Sequence, residues 1–273
     1  MKPYYVYSPP WDESSAGIVV MHTLAKALKH TGCEVNLITC DIDELKNTPW
    51  ELDHDSIAVY PEIVWGNPFC SHTVARLILH LPGFWGGPED YPASNLLFVF
   101  HEMWNYKAKL HLPPGRLLQV PYLNLDRFIN LHLPRKGRLV YRGKGTQPDD
   151  PTLIGIPLLG EKEGFRGKEG QDRLVQALNT CEVLYSYDNL TAMTEIARLC
   201  GCPVVFIPDP FFTREELEMT PVMQAGGVGY GLDETNKAIS SMNSDHIHWM
   251  YGLQKIKFNR QLEQFITITQ GGL

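Results

Sequence analysis

Residues 185–209, YSYDNLTAMTEIARLCGCPVVFIPD, constrain the fold more than any other part of this chain. Their pattern predicts the end of a strand, a polar turn, an amphipathic helix that stops at Gly201, and a second, buried strand. The apolar residues Met193, Ile196 and Leu199 recur at helical spacing, so one face of this helix is expected to pack against a core. A strand, a helix and a second strand form the repeating unit of parallel sheets. This stretch therefore predicts an α/β fold.

The same alternation of apolar strands and amphipathic helices runs through both halves of the chain of 273 residues. In the first half it predicts strands at 4–7, 35–39, 56–60, 95–100 and 117–121, and helices at 18–28 and 71–80. In the second half it predicts strands at 138–141, 152–158, 182–185 and 203–207, and helices at 172–179 and 244–268. Two such runs in series indicate two Rossmann-like domains, each a doubly wound parallel sheet, that face a cleft.

We expect an N-terminal domain at 1–134, a C-terminal domain at 135–245, and a terminal helix at 246–273 that packs back towards the first domain. Ligands of doubly wound sheets bind outside the carboxyl ends of the strands. The loops that follow strands are therefore where the sequence predicts binding and catalytic residues.

Composition excludes some functions before any motif is considered. The formal net charge of −7 disfavours duplex DNA or an anionic membrane as the main partner, although it leaves room for a local basic groove. The N-terminus MKPYYVYSPP is too polar for a secretory signal, and no apolar run is long enough to span a bilayer. Because the N-terminus does not read as a secretory signal, we expect the six cysteines to be reduced thiols of a cytoplasmic protein. The cysteines also lack the spacing of a zinc site, and we expect no metal or cofactor.

The loop at 8–17, SPPWDESSAG, joins the first predicted strand to the first helix. Ser14, Ser15 and Gly17 lie at the expected helix N-terminus, where free backbone N–H groups bind phosphate or another acceptor. The loop has one glycine where the dinucleotide fingerprint has three, which disfavours an NAD-dependent oxidoreductase. The alternative is that Ser14 or Ser15 only caps the helix.

The segment YRGKG places two cations between glycines directly after a predicted strand. Glycine lets a backbone approach a ligand closely, and Arg142 and Lys144 would neutralise a departing diphosphate. The alternative is a solvated basic loop.

The polar turn of residues 185–209 carries the other ligand-binding candidates, Tyr187, Asp188, Asn189, Thr191 and Glu195. Asp188 and Glu195 share a helix face if the helix begins near Asp188. The alternative is a capping cluster with one solvated glutamate.

Candidate acids and bases follow the strands of the first half. Glu62 follows the strand at 56–60, and His101 and Glu102 follow the strand at 95–100. Each is placed where a loop would face the cleft, and each is a candidate to deprotonate an acceptor hydroxyl. The alternative is that each is a hydrogen-bonded structural residue.

Taken together, these residues resemble the GT-B glycosyltransferases, which have two Rossmann domains and use nucleotide sugars. The resemblance covers most of the chain and is carried by SSAGIVVMHTLAKALKHTGCEVNLIT, YPEIVWGNPFCSHTVARLILHLPG, LVYRGKG and, above all, EVLYSYDNLTAMTEIARLCGCPVVFIP. It is nearest to bacterial and phage enzymes of surface-polysaccharide biosynthesis. The acceptor is then a glycan or another hydroxyl compound, and the first domain is expected to form the acceptor side of the cleft.

The resemblance also implies roles for the candidate residues. Glu195 would bind the donor ribose, Arg142 and Lys144 the diphosphate, and the residues from Tyr187 to Thr191 the phosphate and sugar. Gly17 would lie near the phosphate or the acceptor.

Several alternatives remain open at the level of sequence. The glycine-rich turn of the retaining branch is replaced by Asp188-Asn189-Leu190, which leaves retention or inversion undecided. The pair Asp41 and Asp43 is not in the setting of a metal-binding DxD motif, so metal-independent transfer is expected. The competing functions are a phage-type enzyme that glycosylates DNA and a nucleotide-sugar-binding protein without catalysis.

Overall fold

The computed structural model describes residues 1–160 and 162–271. Over these residues the chain divides into two compact units. The first comprises Met1–Tyr122 together with the C-terminal segment that begins at Gln254, and the second comprises Leu123–Leu253. Each unit contains a parallel sheet, as expected for an α/β chain with two Rossmann-like sheets.

The first unit is built on a sheet in which every strand runs parallel to its neighbours. Its strands are β1 (Tyr4–Ser8), β2 (Val35–Thr39), β3 (Ile57–Pro61), β4 (Thr73–Ile78) and β5 (Leu96–Val99). Their order across the sheet is β2-β1-β3-β4-β5. After β1 the chain forms β2 beside one edge of β1, and it then returns to form β3 beside the opposite edge of β1, as in doubly wound folds.

The strand β4 lies where the sequence predicted a helix at 71–80, and that prediction was wrong. The apolar residues of this strand, Val74, Leu77 and Ile78 among them, are buried on both faces. A strand covered on both faces lacks the alternation of polar and apolar residues that marks a half-exposed strand. A short, continuous apolar run does not by itself distinguish a buried strand from a buried helix.

The helices of the first unit include α1 (Ala16–His30), α2 (Ile42–Asn47) and α3 (Glu102–Lys107). In α1, the buried face contains Met21, Leu24 and Leu28, as the helical spacing predicted. The helix ends just before Gly32, whose φ of +86° lies in the left-handed region that favours glycine.

The second unit has a parallel sheet of β6 (Arg138–Tyr141), β7 (Val183–Ser186), β8 (Val204–Phe206) and β9 (Val228–Tyr230), in that order. Its helices include α4 (Gly167–Thr180), α5 (Ala192–Leu199), α6 (Arg214–Glu218) and α7 (Thr235–Ser240). The strand–turn–helix–strand pattern predicted for residues 185–209 is confirmed by β7, α5 and β8.

Two predicted strands, at 117–121 and 152–158, are reduced to single parallel bridges, Val99 with Leu117 and Val140 with Leu158. Gly155, with a φ of +87°, and Pro157 interrupt the second run. Proline lacks the N–H that a ladder requires, and glycine weakens a strand, so the second run cannot form a full strand.

The last helix, α8, spans Ser244–Thr269 and confirms the helix predicted at 244–268. Buried residues near its beginning belong to the core of the second unit, and those near its end belong to the core of the first. The Phe265 ring packs against Phe98 and Tyr4, with ring centroids 4.6 and 6.2 Å apart. The C-terminal part of α8 is thus integral to the first core.

Candidate functional site

The second sheet has a topological switch point between β6 and β7. After β6 the chain first forms the parallel bridge from Leu158 to Val140 on one side of β6, and only later forms β7 on the other side. Connections that leave in opposite directions open a crevice at the carboxyl ends of the two strands, which is where ligands bind such sheets. The loops at this crevice are 142–150, after β6, and 187–191, after β7.

Glycines allow these two loops to approach one another closely. A Cβ on Gly143, whose φ is +50°, would lie 2.6 Å from Oδ2 of Asp188. A Cβ on Gly145 would lie 2.3 Å from the carbonyl oxygen of Tyr187. Both distances are below any normal contact, so the segment YRGKG requires its glycines for the close approach of the loops.

Lys144 joins the two loops through its backbone and its side chain. Its N–H donates to Oδ2 of Asp188 at 3.1 Å, and its ammonium donates to the carbonyl oxygen of Leu190 at 3.1 Å. The ammonium also lies 3.7 Å from Oδ1 of Asp188. Burial raises the pKa of Asp188, and the Lys144 charge opposes that rise. The Lys144 side chain remains 34% exposed, which leaves it accessible to an anion.

Arg142 and Tyr187 brace the turn that follows β6. The Arg142 guanidinium donates to the carbonyl oxygen of Gln147 at 2.7 Å and pairs with Asp149. It also lies over the Tyr187 ring, 4.1 Å from the ring centroid. The Tyr187 hydroxyl accepts from the N–H of Asp150 at 2.8 Å. These contacts give both predicted ligand-binding residues a role in fixing the loop.

The loop after β7 contains a buried acceptor. The side-chain amide of Asn189 donates from Nδ2 to the carbonyl oxygen of Ile207 at 3.1 Å. Its Oδ1 is buried and has no hydrogen-bond partner among the residues that the structure describes. Buried polar atoms are nearly always paired, so this oxygen has capacity for a ligand's donor.

The helix α5 begins at Ala192, with Thr191 at the N-cap accepting from the N–H of Met193 at 3.4 Å. Asp188 therefore lies in the loop, so the condition under which it would share a helix face with Glu195 is not met. The polar run before the helix favours the loop because Ser and Asx side chains form local hydrogen bonds there. One of these runs from the Ser186 hydroxyl to the carbonyl oxygen of Asp188 at 2.7 Å.

Glu195 lies on α5, beside buried charged and aromatic groups. Burial raises the pKa of its carboxyl to about 7, while the Tyr251 hydroxyl and the Arg198 charge oppose that rise. Arg198 is fully buried and donates to the carbonyl oxygen of Gly226 at 2.8 Å. Near neutral pH, Glu195 is therefore present in both protonation states and suits a hydroxyl ligand as acceptor or donor.

The first sheet has its own switch point, between β1 and β3, which is flanked by the loop at 9–15 and by Glu62. Ser14 donates its hydroxyl to Oδ1 of Asp12 at 2.6 Å. Ser15 is the N-cap residue of α1 but makes no side-chain capping bond within the described chain. A Cβ on Gly17 would lie 3.5 Å from Cδ1 of Leu79, an ordinary contact.

Glu62 connects the carboxyl ends of β3 and β4. It is only 4% exposed, and its Oε2 accepts from the N–H of Leu79 at 2.9 Å. Burial raises the pKa of its carboxyl to about 7, and a hydrogen bond from the His80 backbone partly lowers that pKa. A carboxyl with a pKa near neutrality can accept or release a proton at neutral pH.

His101 and Glu102 follow β5, which is two strands away from β3. His101 is the N-cap residue of α3, and burial lowers its pKa to about 4, so its imidazole is neutral at neutral pH. Glu102 is exposed. Strands are about 4.8 Å apart, which separates His101 from Glu62 by roughly 10 Å along the sheet edge. The two residues are thus near one another but belong to different loops.

Aromatic residues at this edge were missed by the sequence reasoning. Trp65, Phe84 and Trp85 are exposed in loops that follow β3 and β4. Their only sequence signal is the occurrence of large aromatic residues beside glycines in VWGNP and GFWGG.

Within residues 1–160 and 162–271, the structure shows no cluster of three His, Cys, Asp or Glu side chains placed to hold a metal ion. No helix in this part of the chain combines the length and the apolar character needed to cross a membrane.

Two solved structures have a similar fold at low sequence identity. An uncharacterized protein from Klebsiella pneumoniae is 12% identical, with a TM-score of 0.51 over 84% of this chain and 93% of that one. AviGT4, a glycosyltransferase involved in avilamycin A biosynthesis, is 13% identical, with a TM-score of 0.50 over 100% of this chain and 99% of that one. No family model matches the chain, and no curated protein matches its sequence. The chain therefore shares its α/β fold with a glycosyltransferase.

Proposed function

We propose that the chain is a GT-B glycosyltransferase that moves a sugar from a nucleoside diphosphate to a hydroxyl of a glycan. The observation that carries this proposal is the crevice between β6 and β7, where a partly exposed cation and a buried unpaired acceptor lie in the loops at the ends of neighbouring strands. A carboxyl group that titrates near neutrality lies on α5, the helix that follows the second loop. The cation is Lys144, the acceptor is Asn189 and the carboxylate is Glu195. Diphosphate, sugar and ribose groups need binding partners of these kinds.

In the proposed reaction, the acceptor oxygen forms a bond to the anomeric carbon of the donor sugar. The bond between that carbon and the diphosphate oxygen breaks, and its electron pair stays on the diphosphate. Lys144 and the N-terminal amides of α5 stabilise the negative charge that develops there, without a metal ion. The acceptor proton passes to Glu62 or His101, whose pKa values of about 7 and about 4 leave each able to act as a base at neutral pH.

A thermal-shift assay with UDP, GDP and TDP tests the donor site. A diphosphate that binds only the folded protein stabilises it by about 2.7 kcal/mol at about 100 times its Kd. We expect Lys144→Ala to weaken binding by roughly tenfold or more, since charge-assisted hydrogen bonds contribute about 1.5–3 kcal/mol. Lys136→Ala is the matched control, because Lys136 is exposed and precedes β6 at the opposite end of the strand.

Transfer is then measured with radiolabelled nucleotide sugars of the nucleoside diphosphate that binds. Glu195→Ala and Lys144→Ala should both lose transfer while their far-ultraviolet circular dichroism stays that of the wild type. Normal turnover in both variants would refute the assignment of the donor site. Tight binding of a donor without transfer or hydrolysis would instead indicate a binding protein.

A further inference from the structure

Three large aromatic side chains are exposed together at the carboxyl edge of the first sheet. Trp65 is 53% exposed, Phe84 is 41% exposed and Trp85 is 52% exposed. We call these three residues the aromatic platform. Single exposed apolar residues are common, but a contiguous group of them marks a surface that binds something.

The aromatic platform is fixed by contacts between the two loops that carry it. Nε1 of Trp65 donates to the carbonyl oxygen of Gly86 at 2.8 Å. Phe84 and Trp85 meet edge to face, with ring centroids 4.9 Å apart. The His80 ring lies 4.3 Å from the Phe84 ring and 6.0 Å from the Trp85 ring. The rings are therefore held in place while remaining exposed, which reduces the entropic cost of binding a ligand.

The same two loops are packed against Glu62. A Cβ on Gly87 would lie 2.5 Å from the carbonyl oxygen of Glu62, so the loop that carries Phe84 and Trp85 is in close contact with the backbone there. The Tyr91 hydroxyl donates to the same oxygen at 3.3 Å. A ligand on the aromatic platform would thus lie beside the end of β3, where the proposed base Glu62 is located.

The charges of the chain segment that carries the aromatic platform favour one class of ligand. Between residues 59 and 100, the sequence has one Lys or Arg, Arg76, and it has acidic residues at Glu62, Glu89 and Asp90. Arg76 is 1% exposed and donates to the carbonyl oxygens of Val64 and Gly66, so it is not available to an anion. Nucleic acids and acidic lipids need exposed cations, which this stretch of the sequence does not supply.

We propose that the aromatic platform binds a pyranose ring of a neutral glycan, which is the acceptor of the transfer proposed above and therefore rests on that proposal. One face of a pyranose carries C–H groups with a partial positive charge, and the face of an indole or phenyl ring is electron-rich. Stacking leaves the hydroxyl groups at the rim of the sugar free to contact water and polar groups. A neutral sugar also meets no repulsion from Glu89 and Asp90.

Saturation-transfer NMR on the full chain tests this proposal with neutral pentasaccharides of glucose, galactose and mannose, each in α and β linkage. We expect at least one of them to receive saturation from the protein. Trp85→Ala and Trp65→Ala should each weaken its binding by about tenfold, the effect of losing a stacking contact of about 1.5 kcal/mol. Trp85→Tyr should retain most of the affinity, because it keeps an aromatic face. The matched control is Trp249→Ala, since Trp249 is 57% exposed on α8 and outside the aromatic platform.

The absence of saturation for every pentasaccharide would overturn the proposal, as would unchanged affinity in both Trp85→Ala and Trp65→Ala. Binding of oligothymidylate that is lost in these variants would also overturn it in favour of a nucleic-acid surface. The thermal shift with UDP, GDP and TDP, measured on the same variants, separates this failure from failure of the proposed function. A nucleotide shift without glycan binding refutes the aromatic platform alone, whereas glycan binding without any nucleotide shift refutes the transferase and leaves a glycan-binding surface.

Discussion

The carboxyl edges of the two sheets hold their loops in different ways. In the first unit, the loops are tied by buried ionisable side chains: Arg76 binds loop carbonyls, and Glu62 binds a backbone amide of the next loop. In the second unit, the loops are tied by the close packing of Gly143 against the Asp188 side chain and of Gly145 against the Tyr187 backbone, and the ammonium of Lys144 stays partly exposed.

Because of this difference, the two edges are suited to different classes of ligand. Because Arg76 and Glu62 are buried, the first edge offers aromatic rings and a carboxyl that titrates near neutrality, which suits a neutral hydroxyl compound. The second edge offers an exposed cation beside backbone amides, which suits an anion. The two edges should also respond differently to substitution. The first should lose stability when a buried polar side chain is removed, and the second when a side chain is added to a glycine.

The largest effect is expected from Arg76→Ala in the first unit. Arg76 donates to Val64, Gly66 and Asn95 and lies near the Tyr60 and Tyr91 rings, so its removal leaves buried acceptors unpaired. We expect a loss of about 3–5 kcal/mol in the free energy of unfolding of this unit. Hydrogen exchange of the β4 amides, compared with that of the β7 amides, measures the loss separately for each unit.

The exposed Arg138 supplies the control for this prediction, and Arg138→Ala should leave the exchange of β4 unchanged. Equal protection of β4 in Arg76→Ala and wild type would show that the loops of the first edge do not depend on the buried guanidinium.

The stability of the first unit should also depend on pH, because the ionisable side chain of Glu62 is buried. The pKa of its carboxyl is 4.5 as an isolated group and about 7 in the folded protein, so the folded state favours the protonated form. Its contribution to stability is therefore fully present below pH 4.5 and is lost as the pH rises through about 7. The loss is on the order of 3 kcal/mol, at about 1.4 kcal/mol for each pKa unit.

Urea denaturation of wild type and Glu62→Gln across this pH range measures the effect. Glutamine keeps an oxygen that accepts from Leu79, and the titration of Glu195 cancels in the difference between the two proteins. Glu89→Gln, which changes an exposed carboxylate of the same unit, is the control. Parallel curves for wild type and Glu62→Gln would contradict the shifted pKa.

The smallest of the three effects on stability is expected from Gly145→Ala in the second unit. The added Cβ would lie 2.3 Å from the Tyr187 carbonyl oxygen, so the two loops must separate, at about 1–3 kcal/mol. Nucleotide binding should suffer more than stability, because Lys144 moves with the loop. Thermal shift with and without UDP, GDP and TDP measures both.

Gly252→Ala is the matched control, since Gly252 lies in α8 and an alanine methyl there would have open space around it, with no neighbouring side chain of the described residues within 4 Å. It should raise stability by up to about 1 kcal/mol, because alanine favours helix. A Gly145→Ala protein that binds nucleotide as wild type does would show that close packing of the loops is not required.

Local patterns predicted the elements whose periodicity is clear. Residues 185–209 were predicted in the correct order of strand, turn, helix and strand, and α1 and α8 were predicted close to their observed bounds. The strand β4 was predicted as a helix because its apolar residues are buried on both faces. The aromatic platform was missed because exposure of an aromatic residue depends on what packs against it.

Periodicity and turn chemistry over a few residues were enough to predict the α/β class, the polar loops after the strands and the close backbone approach at the glycines of YRGKG. The strand order, and with it the switch point between β6 and β7 that brings Lys144 to Asp188, became known from the three-dimensional fold alone. The fold also showed that Glu62 and Glu195 are buried, which raises the pKa of each to about 7. Strand order and desolvation depend on residues that are distant in the chain, and local patterns carry no information about such contacts.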